Sequence, residues 1–305
     1  MTHPYAREDY ASSLAHIGAP FPVPEWNGHV LVRATPCGTR QDAIGPYPLS
    51  VLAAGADVAA GLARLKAAGL VSVVLVLDER LRPAMSALEA ASVTVRRFKS
   101  HYVYDRSLGP LAYSKHHRYE LRRALARTSV SEIRLADHLP AWENLYGQLV
   151  SRHELGGLHT FSPAHHEVLT QLDCVRTFGA FVEDRLVSAH LFVTHGGHAM
   201  SHLAASAPEG YQTGAAYAVN DLAAAELTDC GLINFGGGAG VDDDPTDGLV
   251  RFKKGFSNKV EPAYLCTAVL DDDAYRALSA GRGDSGFFPA YRGPRQLERS
   301  DEHPG

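Results

Sequence analysis

Apolar and polar residues follow two periods along the chain. Period-two runs predict strands at 29–34, 71–77, 93–98, 131–136, 177–184, 185–197, 198–206, 232–238 and 263–270. Helical spacing predicts helices at 57–68, 83–91, 114–128, 139–152, after Pro163, and at 215–228. Gly69 stops the first helix, and Pro83 suits the first turn of the second. The turn Glu183-Asp184-Arg185 joins two strands that continue into a third, an antiparallel meander. The proline-rich first 28 residues predict an extended arm. The Gly-, Pro- and charge-rich stretch from Gly281 predicts a flexible tail.

Composition narrows the class. The chain has 305 residues, 45% hydrophobic and 21% charged, which excludes disorder and coiled coil as the main organisation. A formal charge of −5 argues against a global positive field of the kind that coats DNA. The four cysteines form no C-x-x-C pair, so neither a disulfide scaffold nor a zinc knuckle is indicated. The N-terminus lacks the apolar core of a signal peptide, and the apolar stretch 70–77 is too short to span a bilayer. The expectation is a cytoplasmic protein with no membrane and no DNA partner. Only 6 of the 29 basic residues are lysines, so each lysine carries weight.

The segment 236–256, GGGAGVDDDPTDGLVRFKKGF, sets a glycine run and an acidic turn beside a basic, aromatic stretch. Gly236 and Gly237 let a backbone approach a ligand closely, but the spacing of a dinucleotide fold is missing and no cofactor is implied. Read as a strand, Phe252-Lys253-Lys254 turns at most one lysine to a pocket, either to stabilise an oxyanion or as a solvated edge pair. Asp242, Asp243, Asp244 and Asp247 do not fit a calcium loop; they predict a turn with Pro245, with one carboxylate free to pair with Arg251. The 16 histidines include no H-E-x-x-H, and alternation parts His190, His195, His198 and His202, so no metal is expected. No G-x-S-x-G elbow is present.

On the predicted helix at 113–128, Lys115, Arg118 and Arg122 share one stripe with Tyr113 and Tyr119 interleaved. They suit phosphates or an RNA end, or simply an exposed helix. The loop Tyr211-Gln212-Thr213-Gly214-Ala215-Ala216 precedes a helix whose amides can hold an anion. Its likeness to the R/Q-x-x-G-x-G/A coenzyme A pattern of acetyltransferases is partial, because Tyr211 takes the first place.

The order helix, helix, three antiparallel strands, helix, strand, strand is that of an N-acyltransferase (GNAT) domain. The predicted fold is α/β with two GNAT-like units, the N-terminal one degenerate, in mixed, mostly antiparallel sheets flanked by helices. The units are 1–112, including the arm, and 113–280, followed by the tail 281–305. YSKHHRYELRRAL, AFVEDRLVSAHLFV, SHLAAS with GAAYAVNDLAAAEL, and INFGGG with DGLVRFKKGF together resemble the FemABX family over about residues 45–270. The resemblance implies transfer of an amino acid from aminoacyl-tRNA to a free amine, forming a peptide bond in cell-wall or peptide-antibiotic synthesis. It implies that Phe252 and Lys253 match the family's Phe-Lys pair, whose lysine stabilises the tetrahedral intermediate. Lys115, Arg118, Arg122, Tyr211, Gln212, Gly236, Gly237 and Lys254 are then the candidates to hold substrate and tRNA. An acyl-CoA-dependent N-acyltransferase and a non-catalytic binding module of the same fold remain the alternatives.

Overall fold

Each of the period-two runs contains a strand in the computed structural model, which describes residues 2–53, 55–239, 244, 246–282 and 286–293. The first half of the chain gives α1 (Glu8–Ser13), β1 (Ala19–Val23), β2 (Gly28–Ala34), β3 (Gln41–Ile44), α2 (Val58–Ala67), β4 (Leu70–Asp78), α3 (Met85–Ala90) and β5 (Thr94–Asp105). The next stretch gives α4 (Lys115–Leu125), β6 (Ser129–Ile133), α5 (Leu139–Arg152), α6 (Pro163–Thr170), β7 (Val175–Val182), β8 (Arg185–His195) and β9 (His198–Ser206). The last gives α7 (Pro208–Thr213), α8 (Ala215–Glu226), β10 (Leu232–Asn234), α9 (Gly248–Gly255), β11 (Lys259–Val269) and α10 (Asp272–Ser279).

Local chemistry explains the boundaries. Asp57, Ser114 and Ser162 cap α2, α4 and α6, each accepting from a backbone N–H three residues on. Glu183 and Asp184 both take positive φ, 48° and 64°, as a tight hairpin turn requires. Five expectations need correction. The arm is not simply extended: α1 carries Glu8 and Asp9 in its first turn and buries Tyr10 and Ala11, and β1 follows. Pro83 precedes α3 instead of opening it. The stretch 208–213 is helical, not a loop, and Phe252-Lys253-Lys254 lies in α9, not in a strand. Of the expected tail, residues 286–293 dock: Tyr291 is 2% exposed and its hydroxyl donates to Asp42 Oδ2 at 2.9 Å. Residues 283–285 and 294–305 lie outside the described residues, as do Asp242, Asp243 and Pro245.

The strands form one mixed sheet in the order β1-β2-β3-β4-β11-β5-β10-β9-β8-β7-β6. Pairing is antiparallel except at β3/β4 and β10/β9. Reading outward from the central pair β11/β5, each direction meets one antiparallel neighbour, then one parallel step, then antiparallel strands. At β3/β4 the chain beyond β3 stays bonded to β4, with Gly45 N–H donating to Val74 O at 2.8 Å and Ser50 N–H to Val76 O at 2.7 Å. That step is therefore filled by the chain itself, and only β10/β9 opens.

Helices α2, α3 and α8 cover one face of the sheet, and α1, α5 and α6 the other. The second face buries Tyr5, Tyr10 and Trp142 together with imidazoles. His165 Nδ1 lies 2.8 Å from Ser13 Oγ, and His202 Nδ1 lies 3.3 Å from the Tyr5 hydroxyl. Burial first, and neighbouring imidazoles second, pull His165 down to about 2 and His202 to about 3; burial also brings His190, on the α8 face, to about 3.

These rings stay neutral in the fold at pH values where the unfolded chain, with histidines near 6.5, takes up protons. Stability is thus fully present above about pH 6.5 and lost as pH falls toward 3, by up to about 1.4 kcal/mol per pH unit for each such ring. Urea melts between pH 7.5 and 4.5 should show midpoints that drop steadily below pH 6.5; a flat series would contradict this account.

Candidate functional site

The site begins where the parallel ladder stops. β10 pairs with β9 only from Leu232↔His198 to Asn234↔Met200, while β9 runs on to Ser206 beside β8. The chain after β10 stays with β5: Phe235 N–H donates to Tyr102 O at 2.9 Å, and Tyr102 N–H to Gly236 O at 3.1 Å. The sheet therefore splays between β9 and β10. Gly236 turns the chain at φ 76°, a region that only glycine enters without strain. Its N–H donates to Asn234 Oδ1 at 2.7 Å, which pins the turn to the last residue of β10.

α9 places Lys253 against this turn. Asp247 caps the helix, accepting from Leu249 N–H at 2.9 Å, and its other oxygen accepts from Ala239 N–H at 2.8 Å, tying helix to glycine run. Of the four carboxylates offered to Arg251 by the sequence, Asp247 is engaged in this cap and Asp244 with Thr246, while Asp242 and Asp243 lie outside the described residues. Lys253 Nζ donates to Gly237 O at 2.7 Å, and Lys99 Nζ donates to Gly238 O at 2.9 Å. Burial first, and the Lys99 charge second, bring the Lys253 ammonium down to about 8, with Asp247 acting in the opposite direction. A cation so placed has N–H donors left over for a second oxygen.

Phe252, one residue earlier, points into a ring cluster with Tyr217 at 4.8 Å and Phe256 at 5.2 Å, which fixes the helix on α8. α4 docks on the same helix: His117 Nε2 lies 3.0 Å from Phe252 O, and a Cβ on Gly255 would overlap the His117 ring. Lys254 is exposed, its ammonium 5.9 Å from the centre of the Tyr102 ring, so of these two neighbours it is Lys253 that bonds the glycine run. Lys115, Arg118 and Arg122 are exposed along α4, as their spacing predicts.

Tyr211 and Gln212 sit in α7, away from the lysine. The Tyr211 ring lies under the Arg152 guanidinium of α5 at 4.2 Å, and Gln212 O accepts from Arg123 Nη2 at 2.6 Å. At the start of α8 a Cβ on Gly214 would meet the Glu120 carboxylate at 3.5 Å. Arg123 Nη2 lies 3.9 Å from the same Cβ and pairs with Glu120 at 2.8 Å, so an ion pair faces the start of α8.

Three participants escape sequence reasoning, Asn234, Asp78 and Lys99, while His190 enters it only as a meander histidine. Asn234 Nδ2 donates to Asp78 Oδ2 at 2.8 Å and lies 3.1 Å from His101 Nδ1. Asp78 is 2% exposed, and burial acts to raise its carboxyl, yet the contact with His101 first and then the backbone N–H and charge of Arg80 hold it below the usual range. Asp78, Asn234, Glu261, His3, His195 and His198 line a cavity of about 240 Å³ on the sheet face opposite α8. Glu261 is paired there with Arg80 at 2.5 Å and Lys259 at 2.8 Å. His190, beneath α8, lies 2.7 Å from both Asn220 Oδ1 and Ser201 Oγ. Among the described residues, no group of three or more His, Cys, Asp or Glu is placed to hold a metal.

No known family profile matches the chain, and no curated protein is similar to it in sequence. Solved structures do share its fold. FemX aligns over 90% of this chain and 95% of its own, with a TM-score of 0.63 at 12% identity. The C-terminal domain of a protein described as a lysylphosphatidylglycerol synthetase from Agrobacterium fabrum aligns over 87% and 88%, at 0.61 and 14%. L-PGS from Bacillus licheniformis aligns over 87% and 93%, at 0.56 and 12%. The likeness is one of architecture: an α/β chain with a large mixed sheet flanked by helices.

The Lys253 environment makes a direct prediction. Competitive labelling of the ε-amino groups across pH should give Lys253 a midpoint near 8, and Lys99→Ala should move it up toward 10.5 by removing the neighbouring charge. A Lys253 midpoint already near 10.5 in the unaltered protein would contradict the arrangement.

Proposed function

We propose that the chain transfers an amino acid from aminoacyl-tRNA to a free amine, as the FemABX enzymes that its motifs resemble do. The observation that carries this reading is the Lys253 ammonium bound to Gly237 O beside the splay of β9 and β10. Chemistry at an ester carbonyl needs positive charge where the oxyanion forms, and a partly desolvated ammonium supplies it. The acceptor amine attacks the ester carbonyl, the carbon–nitrogen bond forms, and Lys253 stabilises the oxyanion. Collapse then breaks the bond to the ribose oxygen, which leaves with a proton as a hydroxyl. No covalent enzyme intermediate is needed, because the ester is already activated and positioning supplies most of the rate.

The two faces of the splay give the substrates separate approaches. The donor comes from the α4/α9 side, where Lys115, Arg118 and Arg122 offer cations to its phosphates. The acceptor comes from the cavity on the other face, where the Asp78 carboxylate favours an ammonium group. Asn234 bonds to both Asp78 and the glycine turn, so one side chain ties the acceptor cavity to the Lys253 loop. A peptide N-terminus is the acceptor that this reading favours, in peptide-antibiotic or cell-wall synthesis. The organisation into two GNAT-like units belongs to the same proposal, with β11/β5 as their seam and the filled β3/β4 step as the mark of the degenerate unit. Tyr211 turned toward Arg152 speaks against the acyl-CoA alternative.

Lys253→Ala should keep the fold, as followed by circular dichroism, and lower single-turnover transfer from aminoacyl-tRNA by about 10²–10³. Transfer by the unaltered enzyme should also decline above about pH 8, as Lys253 loses the proton that makes it a cation. Near-normal transfer by the alanine variant would remove Lys253 from the mechanism. Turnover with acyl-CoA in place of charged tRNA would replace the reading.

A further inference from the structure

Ser201 is the first residue of β9 beyond the ladder with β10, which ends at Asn234↔Met200. The register of β9 against β8 slips at this point, from Phe192↔Ser201 to Leu191↔Leu203, and the extra residue His202 makes a bulge. His202 and Leu203 both enter the core beside α1, α5 and α6, while Ser201, half-buried, bonds to His190 under α8. A chain of hydrogen bonds runs inward from it. Asn220 Oδ1, on α8, can only accept, so at 2.7 Å it fixes the proton of the His190 ring on Nδ1. The Nε2 lone pair is then turned to the Ser201 hydroxyl at 2.7 Å. His190 and Asn220 are 5% and 2% exposed, and burial keeps the ring neutral at rest, as a base must be. The Lys253 charge is felt at His190, so this chain and the ammonium share the splay.

We propose that Ser201 and His190 carry the proton that the acceptor amine must lose, with Asn220 as the positioning residue behind them. The inference rests on the aminoacyl-tRNA reading and adds to it a path for the proton. The amine lone pair forms the carbon–nitrogen bond, and the carbonyl pair moves onto oxygen beside Lys253. A proton of the new ammonium passes to Ser201 Oγ while the Ser201 proton passes to His190 Nε2, and the oxyanion offsets the imidazolium charge. On collapse the oxygen pair reforms the carbonyl, and the carbon–oxygen bond breaks onto the ribose oxygen. The proton then returns from His190 through Ser201 to that oxygen, and both side chains end as they began. The same geometry speaks against Ser201 as a nucleophile. Both ring nitrogens of His190 are engaged, and the ring meets the splay through the Ser201 hydroxyl. An acylated serine would cut the path by which the leaving oxygen gains its proton.

Charged tRNA with either glycylglycine or hydroxylamine as acceptor separates this role from packing. The ammonium formed from hydroxylamine is a much stronger acid than that of a peptide amine, and gives its proton to water unaided. Ser201→Ala, its fold followed by circular dichroism, should lower single-turnover transfer to glycylglycine by about 10² and to hydroxylamine by less than about fivefold. Ser201→Thr, which keeps the hydroxyl, should restore transfer to glycylglycine. His190→Gln should repeat the selective loss. Equal losses on the two amines, or no loss on either, would overturn the relay and leave the aminoacyl-tRNA reading standing. An aminoacyl ester on Ser201, found by mass spectrometry after an acid quench, would make the serine a nucleophile and also overturn the relay. Failure of the unaltered protein to transfer from charged tRNA to either amine would overturn that reading itself, and the relay with it.

Discussion

The parting of β9 from β10 is the constraint to which the rest of the molecule answers. A sheet that opens exposes backbone N–H and C=O groups that must find partners or lose stability. Here the partners are side chains. The Asn234 amide takes the Gly236 N–H, Lys253 takes the Gly237 carbonyl, and Lys99 takes the Gly238 carbonyl. Two cations are thereby drawn into a confined space beside one another, and their mutual repulsion helps bring Lys253 down to about 8. The feature that satisfies the backbone also tunes the ammonium.

The opening has a counterpart across the sheet that went the other way. At β3/β4 the chain folds back on β4 through Gly45 and Ser50 and occupies the gap. One parallel step is closed by the chain and the other is left open. The helices follow the same division: α4, α8 and α9 gather rings and exposed cations on one face, while α1, α5 and α6 gather buried imidazoles and tyrosines on the other.

Much of this was legible in the sequence, and the failures have physical reasons. The hairpin at Glu183-Asp184, the bounds of α5 at Leu139 and Arg152, and the caps Asp57, Ser114 and Ser162 follow from local chemistry alone. The run Val250-Arg251-Phe252 alternates like a strand, but Asp247 behind it offers a cap and Gly255 lets His117 close over its end, so a helix forms. Prolines hid α1, although Tyr10, Ala11 and Leu14 already carried helical spacing. The scarcity of lysine drew attention to Lys253, and the same scarcity pointed at Lys99 without saying where it goes. Asn234 and Asp78 gave no signal, and His190 only its place among the meander histidines, because their importance comes from strands far apart in sequence that the sheet brings together.

β11 lies between β4 and β5, so the last strand of the chain completes the sheet of its first half. During synthesis β4 and β5 emerge early and have no direct partner in each other. Their facing edges stay unpaired until residues 259–269 have left the ribosome. The two halves of the sheet are thereby coupled through β11, and a chain truncated before Lys259 would present two bare edges to its neighbours.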